Sequence, residues 1–284
     1  MLVPFRIVDV FTDRPFAGNP LCVVPDSTDM TVEQMRAIAR EIGFSETTFV
    51  IAAEGDRYQM RIFTPEKEMP FAGHPTLGTA FLLVSEGRVT SPVTQEVAAG
   101  EFAVEVDLEA RFARVRQHPP QFGPELEDRA RLAEAVGLSP KDLHRDLPSQ
   151  PVSTGLTHLI VPLRDAGAVG RARMNPDVVS ALLQESGADG LYVFALTKEG
   201  AKARLFAPAV VWSEDPATGS AAGPLGAYLA VRGAGRMPGT MTIRQGEEAG
   251  RPSVLHVQVD RDGDTWTVIV GGGVAIVGRG EFDI

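Results

Sequence analysis

The segment Arg61-Ile62-Phe63-Thr64-Pro65 has a counterpart further along the chain, Arg204-Leu205-Phe206-Ala207-Pro208. Each reads as a strand that stops at a proline, and each is followed by a loop and a helix of small residues. The first helix is Gly73-His74-Pro75-Thr76-Leu77-Gly78-Thr79-Ala80-Phe81-Leu82; the second is Gly219-Ser220-Ala221-Ala222-Gly223-Pro224-Leu225-Gly226-Ala227-Tyr228-Leu229. Two Gly/Ala-rich helices can resemble each other by chance. An Arg-x-Phe-x-Pro strand upstream of both makes a diverged duplication the better reading. Two similar lobes are expected to face one another, each presenting a strand, a loop and a helix N-terminus to a common cleft.

A length of 284 residues, about twice the usual domain, fits two lobes. Hydrophobic residues at 44% and charged residues at 23% let each lobe bury a core without disulfide or metal. A net charge of −10, with the Lys and Arg scattered, argues against nucleic-acid binding. The lone Cys22, inside Leu21-Cys22-Val23-Val24, reads as a reduced core residue. No basic segment followed by an apolar run opens the chain, and no stretch reaches the about 18 apolar residues of a membrane span. A cytoplasmic protein without membrane contact is expected.

Outward from the repeat, residues 5–11 and 21–24 read as strands joined by the turn-rich loop 14–20. Val32, Met35, Ile38, Ala39 and Ile42 form a 3.6-period stripe between Thr31 as N-cap and Gly43 as stop. Residues 47–52 and 58–63 are strand-like, a helix starts near His74 and ends before Gly87, and strands continue to Val115. The run His118-Pro119-Pro120-Gln121-Phe122-Gly123-Pro124 interrupts regular structure, so an N-terminal lobe over 1–117 and a C-terminal lobe over 124–284 are predicted. The last strand is allowed to cross back to the first lobe. Gly233-Ala234-Gly235 and Gly271-Gly272-Gly273 read as turns.

The chemistry concentrates at the two helix starts. Pro70-Phe71-Ala72-Gly73-His74-Pro75-Thr76 sets a histidine beside a glycine that permits close backbone approach. Glu214-Asp215-Pro216-Ala217-Thr218-Gly219-Ser220 sets a carboxylate before amide groups that attract anions. Plain helix capping by Asp215 and Thr218 explains the second motif equally well when it is taken alone.

FSETTFV, RIFTPEKEMPFAGHPTLGTA, EDPATGSAAGPLGAYL and RQGEEAGRP together resemble the PhzF family of phenazine-biosynthesis isomerases, and the likeness spans nearly the whole chain. The resemblance implies an α+β fold with two lobes of diaminopimelate-epimerase type, each a curved, barrel-like sheet around a central helix. It implies catalytic roles for Glu46, His74 and Asp215, meeting in the cleft, and substrate binding by Gly73, Thr218, Gly219 and Ser220. It further implies a homodimer and a small carboxylic acid substrate, dihydro-hydroxyanthranilate-like, isomerised by proton transfer without a metal or redox cofactor. Glu46 is not singled out by pattern; its neighbours Phe44, Phe49 and Val50 suggest desolvation, which would raise its pKa.

Two other readings compete. Racemases of this fold use a facing pair of cysteines, which a chain with one cysteine cannot supply. A non-catalytic small-acid binder would keep the same residues. The five histidines (His74, His118, His144, His158, His256) lack metal-ligand spacing, and His158 reads as a satisfied strand histidine. Ser220 lacks the nucleophile-elbow spacing.

Overall fold

Two helices without a polar face organise the architecture. A helix that is apolar all round has to be buried on every side, and Gly73 through Leu83 and Gly219 through Ala230 are all buried. The computed structural model describes residues 2–208 and 214–284. The chain divides into two units, Met1–Arg116 with Gly271–Ile284, and Gln117–Val270. The first contains β1 (Leu2–Val10), β2 (Asn19–Val24), α1 (Val32–Ile42), β3 (Glu46–Glu54), β4 (Arg57–Phe63), β5 (Glu68–Met69), α2 (Gly73–Ser85), β6 (Val93–Val97), β7 (Gly100–Asp107) and β8 (Phe112–Arg116). The second contains β9 (Gln121–Phe122), α3 (Arg129–Ala135), β10 (Gln150–Ser153), β11 (Thr157–Pro162), α4 (Ala166–Arg171), α5 (Pro176–Ser186), β12 (Gly190–Leu196), β13 (Gly200–Phe206), β14 (Glu214–Asp215), α6 (Gly219–Val231), β15 (Gly239–Gln245) and β16 (Ser253–Asp262). The long final strand β17 (Thr265–Asp283) contributes to both.

In the first unit β1, β2, β3, β4, β6, β7, β8 and β17 pair in that order, and β17 returns to β1, so the sheet closes on itself. α2 touches β1, β2, β3, β6, β7 and β8 and therefore lies inside the ring. The pairs β2–β3 and β4–β6 are parallel. The second unit repeats this order with β10, β11, β12, β13, β15, β16 and β17, and again the second-to-third and fourth-to-next pairs, β11–β12 and β13–β15, are parallel. Gln117 N–H donates to Val268 O at 2.9 Å and His118 N–H to Thr154 O at 3.2 Å, bridging the remaining gap. α6 contacts β10, β11, β15 and β16. Each unit is thus a curved sheet around one helix, the α+β arrangement that the resemblance implies.

The duplication extends to single side chains. Arg61 grips Glu68 with two hydrogen bonds of 2.7 Å and lies over the Phe63 ring. Arg204 grips Glu214 at 2.7 and 2.6 Å and lies over Phe206. Past each repeat the chain changes partner: β9, after β8, pairs with β10, while the end of β17 pairs with β1.

Local signals explain the details. Thr31 and Gln34 form a reciprocal cap on α1, and Gly43 closes it at φ 68°. Gly78 and Gly226 let the central helices approach the sheet: a Cβ would sit 2.8 Å from Leu21 Cδ2 at the first and 2.5 Å from Val257 Cγ1 at the second. The run Gly271-Gly272-Gly273 corrects the turn reading, because it lies within β17. Cβ atoms there would meet Ala113 O at 2.8 Å, Phe11 Cδ1 at 2.4 Å and Thr12 O at 2.6 Å, so these glycines serve close backbone approach rather than chain reversal. Cys22 is buried on β2, where desolvation pushes its thiol up to about 12. Among the described residues, no helix is long and apolar enough to cross a membrane.

Candidate active site

The first unit brings Glu46 and His74 together. Glu46 opens β3 beside Leu21 of the parallel strand β2, and His74 is the second residue of α2. His74 Nε2 lies 3.5 Å from Glu46 Oε2, with the two side chains 5% and 17% exposed. Burial pushes the imidazole down to about 3, so it is neutral at ordinary pH and the contact is not an ion pair. At that separation no hydrogen bond joins Oε2 to Nε2; on closer approach a neutral ring and a carboxyl group can share a single proton, either as carboxylate with Nε2–H or as carboxylic acid with bare Nε2. At the same place α2 begins at Ala72 without a side-chain cap, with the amides of Gly73 and His74 in its first turn. The Thr76 hydroxyl is engaged elsewhere, donating back to Ala72 O at 2.8 Å and accepting from Gln95 Nε2 at 3.0 Å. The helix start retains its attraction for an anion. Ser45, next to Glu46, donates to buried Asn19 at 3.3 Å, a contact that the turn-like Gly18-Asn19-Pro20 gave no sign of.

The second unit brings Asp215 to Thr218. Asp215 lies on β14 opposite Leu205, and the Thr218 hydroxyl donates to Asp215 Oδ2 at 2.5 Å. Thr218 is the N-cap residue of α6 yet makes no side-chain cap bond, so its hydroxyl serves the carboxylate instead of the helix. Ser220, in the first turn, meets His158 Nε2 at 3.1 Å through Oγ. His158 stands on β11, and burial lowers it to about 4. Its Nδ1 has no hydrogen-bond partner, so the ring is only half satisfied, contrary to the sequence reading. Glu46, His74 and Gly73 thus belong to one unit, and Asp215, Thr218, Gly219 and Ser220 to the other. Among the described residues no cluster of three or more His, Cys, Asp or Glu is arranged to hold a metal.

Both buried histidines make a stability prediction. Their folded pKa values, about 3 for His74 and about 4 for His158, lie below the unfolded value of 6.5. On acidification through 6.5 the unfolded chain takes up protons that the native state refuses, so stability is lost as pH falls. Each contributes up to about 1.4 kcal/mol per pH unit until its folded pKa is reached. Urea unfolding between about pH 7 and pH 5 should show this decline, and His158→Gln should make it shallower. An unchanged slope in His158→Gln would show that His158 is not held neutral.

The chain is similar to known proteins along nearly its whole length. The family described as phenazine biosynthesis-like protein, PhzC-PhzF, matches residues 8–280. The chain is 32% identical to an uncharacterized isomerase of Clostridium acetobutylicum, over 97% of this chain and 96% of that one. It is 35% identical to the trans-2,3-dihydro-3-hydroxyanthranilate isomerase of Pseudomonas chlororaphis, over 98% of each chain. The crystal structure of a PhzF-family phenazine biosynthesis protein from Bacillus anthracis superposes with a TM-score of 0.90 over 100% of both chains, at 31% identity. A family match across nearly the whole length, with the same fold in a solved relative, places this chain in the phenazine biosynthesis-like PhzC-PhzF family of isomerases.

Proposed function

We propose that the protein isomerises a small, cyclic, unsaturated carboxylic acid by moving a proton between carbons, with Glu46 as the proton carrier. The observation that carries this reading is the buried Glu46–His74 contact of 3.5 Å beside the uncapped start of α2. Glu46 as carboxylate removes a proton from a carbon next to the unsaturated system; the double bonds shift; the same group returns the proton to another carbon. The step balances without oxidant or reductant, so no cofactor is called on. Neutral His74 polarises a substrate oxygen or exchanges the proton with Glu46. The amides of Gly73, Gly219 and Ser220, with Thr218, bind the carboxylate and the charge that develops during transfer. Asp215 orients the substrate or relays a proton.

A dihydro-hydroxyanthranilate is the substrate this reading favours, because the curated relative from Pseudomonas chlororaphis is named for one. A cytoplasmic homodimer completes the proposal, on family resemblance alone.

Incubation with trans-2,3-dihydro-3-hydroxyanthranilate and related cyclic acids in D₂O tests it. Wild type should convert at least one acid and place solvent deuterium on a carbon of the product. Incorporation is expected to be partial, since a closed site shelters the proton from exchange. An acid that binds tightly but is neither converted nor exchanged at carbon would favour a binding protein and defeat the isomerase reading for that ligand.

A further inference from the structure

The segment Arg244-Gln245-Gly246 belongs to the RQGEEAGRP motif but has no role in the mechanism above. It packs directly on the turn that carries Asp215. Gly246 adopts φ 79°, and a Cβ there would lie 2.4 Å from Pro216 O and 2.3 Å from Arg251 O, so only glycine fits. Gln245, 1% exposed, uses its side-chain amide on that turn.

The orientation of the amide follows from the backbone. Thr218 N–H can only donate, and it reaches Gln245 Oε1 at 3.3 Å; Asp215 C=O can only accept, and it lies 2.8 Å from Gln245 Nε2. The second Nε2 proton goes to Thr218 Oγ1 at 3.0 Å. The Thr218 hydroxyl therefore accepts from Gln245, and its own proton is directed to Asp215 Oδ2 at 2.5 Å. Tyr192 holds the far side, donating to Gln245 Oε1 at 2.9 Å. Burial, with a smaller contribution from the charge of Asp215, raises the Tyr192 hydroxyl and keeps it a donor.

The first unit contains the same residue types in a different arrangement. Tyr58 donates to Gln95 Oε1 at 2.7 Å, and Gln95 Nε2 donates to Thr76 Oγ1 at 3.0 Å. There the threonine proton ends on the backbone carbonyl of Ala72. Only in the second unit does the Tyr–Gln–Thr chain end on a titratable side chain.

We propose that Gln245 is a positioning residue for Asp215: it directs the Thr218 hydroxyl proton to Oδ2, making that oxygen an acceptor, so that any proton Asp215 carries sits on Oδ1. This rests on the proposed role of Asp215 in the reaction. It adds a residue outside the helix-start motifs and a direction to the hydrogen bonds.

The test begins with a readout that needs no substrate. In protein labelled at the aspartate side chain, the Asp215 ¹³Cγ resonance is assigned by its loss in Asp215→Asn. At pH 7 it should move in Thr218→Val and in Gln245→Leu, and keep its wild-type position in Thr218→Ser, which retains the hydroxyl. The double variant Thr218→Val/Gln245→Leu should move it by less than the sum of the two single variants, because both act through the Thr218 hydroxyl, while Gln245 also holds the Asp215 carbonyl. An unmoved resonance in Thr218→Val, or additive shifts in the double variant, would overturn the proposal; if Gln245→Leu does not fold, Thr218→Val and Thr218→Ser still decide. With an acid that wild type converts, Gln245→Leu should lower kcat about tenfold or more while KM stays within about twofold. Unchanged kcat would overturn the positioning role. If wild type converts no acid but the resonances move as described, the proposed reaction fails and the hydrogen-bond direction stands.

Discussion

Glu46→Gln should fold with wild-type thermal stability and lose about 100-fold or more of its turnover. The amide keeps the size and polarity of the side chain, which is 17% exposed at the start of β3, but cannot accept and return a proton. General acid–base catalysis by one positioned group contributes about 10²–10⁴-fold, so its loss on the chemical step corresponds to at least about 3 kcal/mol of barrier. The effect should fall on kcat more than KM, because the substrate carboxylate is assigned to backbone amides and not to Glu46. Deuterium incorporation should disappear with turnover, since the proposed mechanism gives both removal and return to one group. Activity within about threefold of wild type, less than about 1 kcal/mol on the same scale, would remove Glu46 from the mechanism. Turnover lost with label retained would assign removal to another base.

The parts of this fold that were legible are those in which local chemistry and tertiary structure agree. α1 was delimited by Thr31 and Gly43 because a capping box and a left-handed stop act within one turn of the helix. The duplication was legible because Arg61/Arg204 and Phe63/Phe206 do the same work in both units, each pair bound to its own glutamate. Gly271-Gly272-Gly273 reads as a turn but is a strand, because a glycine run looks alike in a turn and in a strand pressed by neighbours, and those neighbours, Phe11, Thr12 and Ala113, are far away in sequence. Gln245 was invisible for a related reason: a polar residue ending a strand reads as solvated, and nothing nearby announces that the backbone of Asp215 and Thr218 will fold against it. His158 reads as satisfied in the sequence because nothing there shows its partner Ser220 or the lack of one at Nδ1. Glu46 came from family resemblance, since a glutamate opening a strand is ordinarily a surface residue.

The repeated arginine pairs should contribute unequally to stability, although their geometry is nearly the same. Arg61 and Glu68 are 31% and 32% exposed, whereas Arg204 and Glu214 are 5% and 15% exposed. Water already solvates the first pair, so Arg61→Met should cost about 1 kcal/mol or less. Arg204→Met is expected to cost about 3–5 kcal/mol, because it strands the Glu214 carboxylate in a largely dry site. It also removes the donor that reaches Val169 O at 3.2 Å and Ala172 O at 2.8 Å, at the C-terminal end of α4. Val169 O also accepts from Ala172 N–H at 3.2 Å and Ala172 O from Arg173 Nη1 at 2.7 Å, so each keeps one donor and loses the buried, charged one. The same charge therefore ties β13, β14 and α4 together in the second unit, a task without a counterpart at Arg61. Urea unfolding of the two variants side by side is the measurement, and equal losses would show that burial does not separate the pairs. The double variant Arg204→Met/Glu214→Gln discriminates further: removing the stranded charge should recover part of the loss, while the lost hydrogen bonds to Val169 O and Ala172 O keep the remainder. Because Glu214 precedes Asp215 on β14, the single variant should also reduce turnover, and the double variant should restore activity only as far as it restores stability.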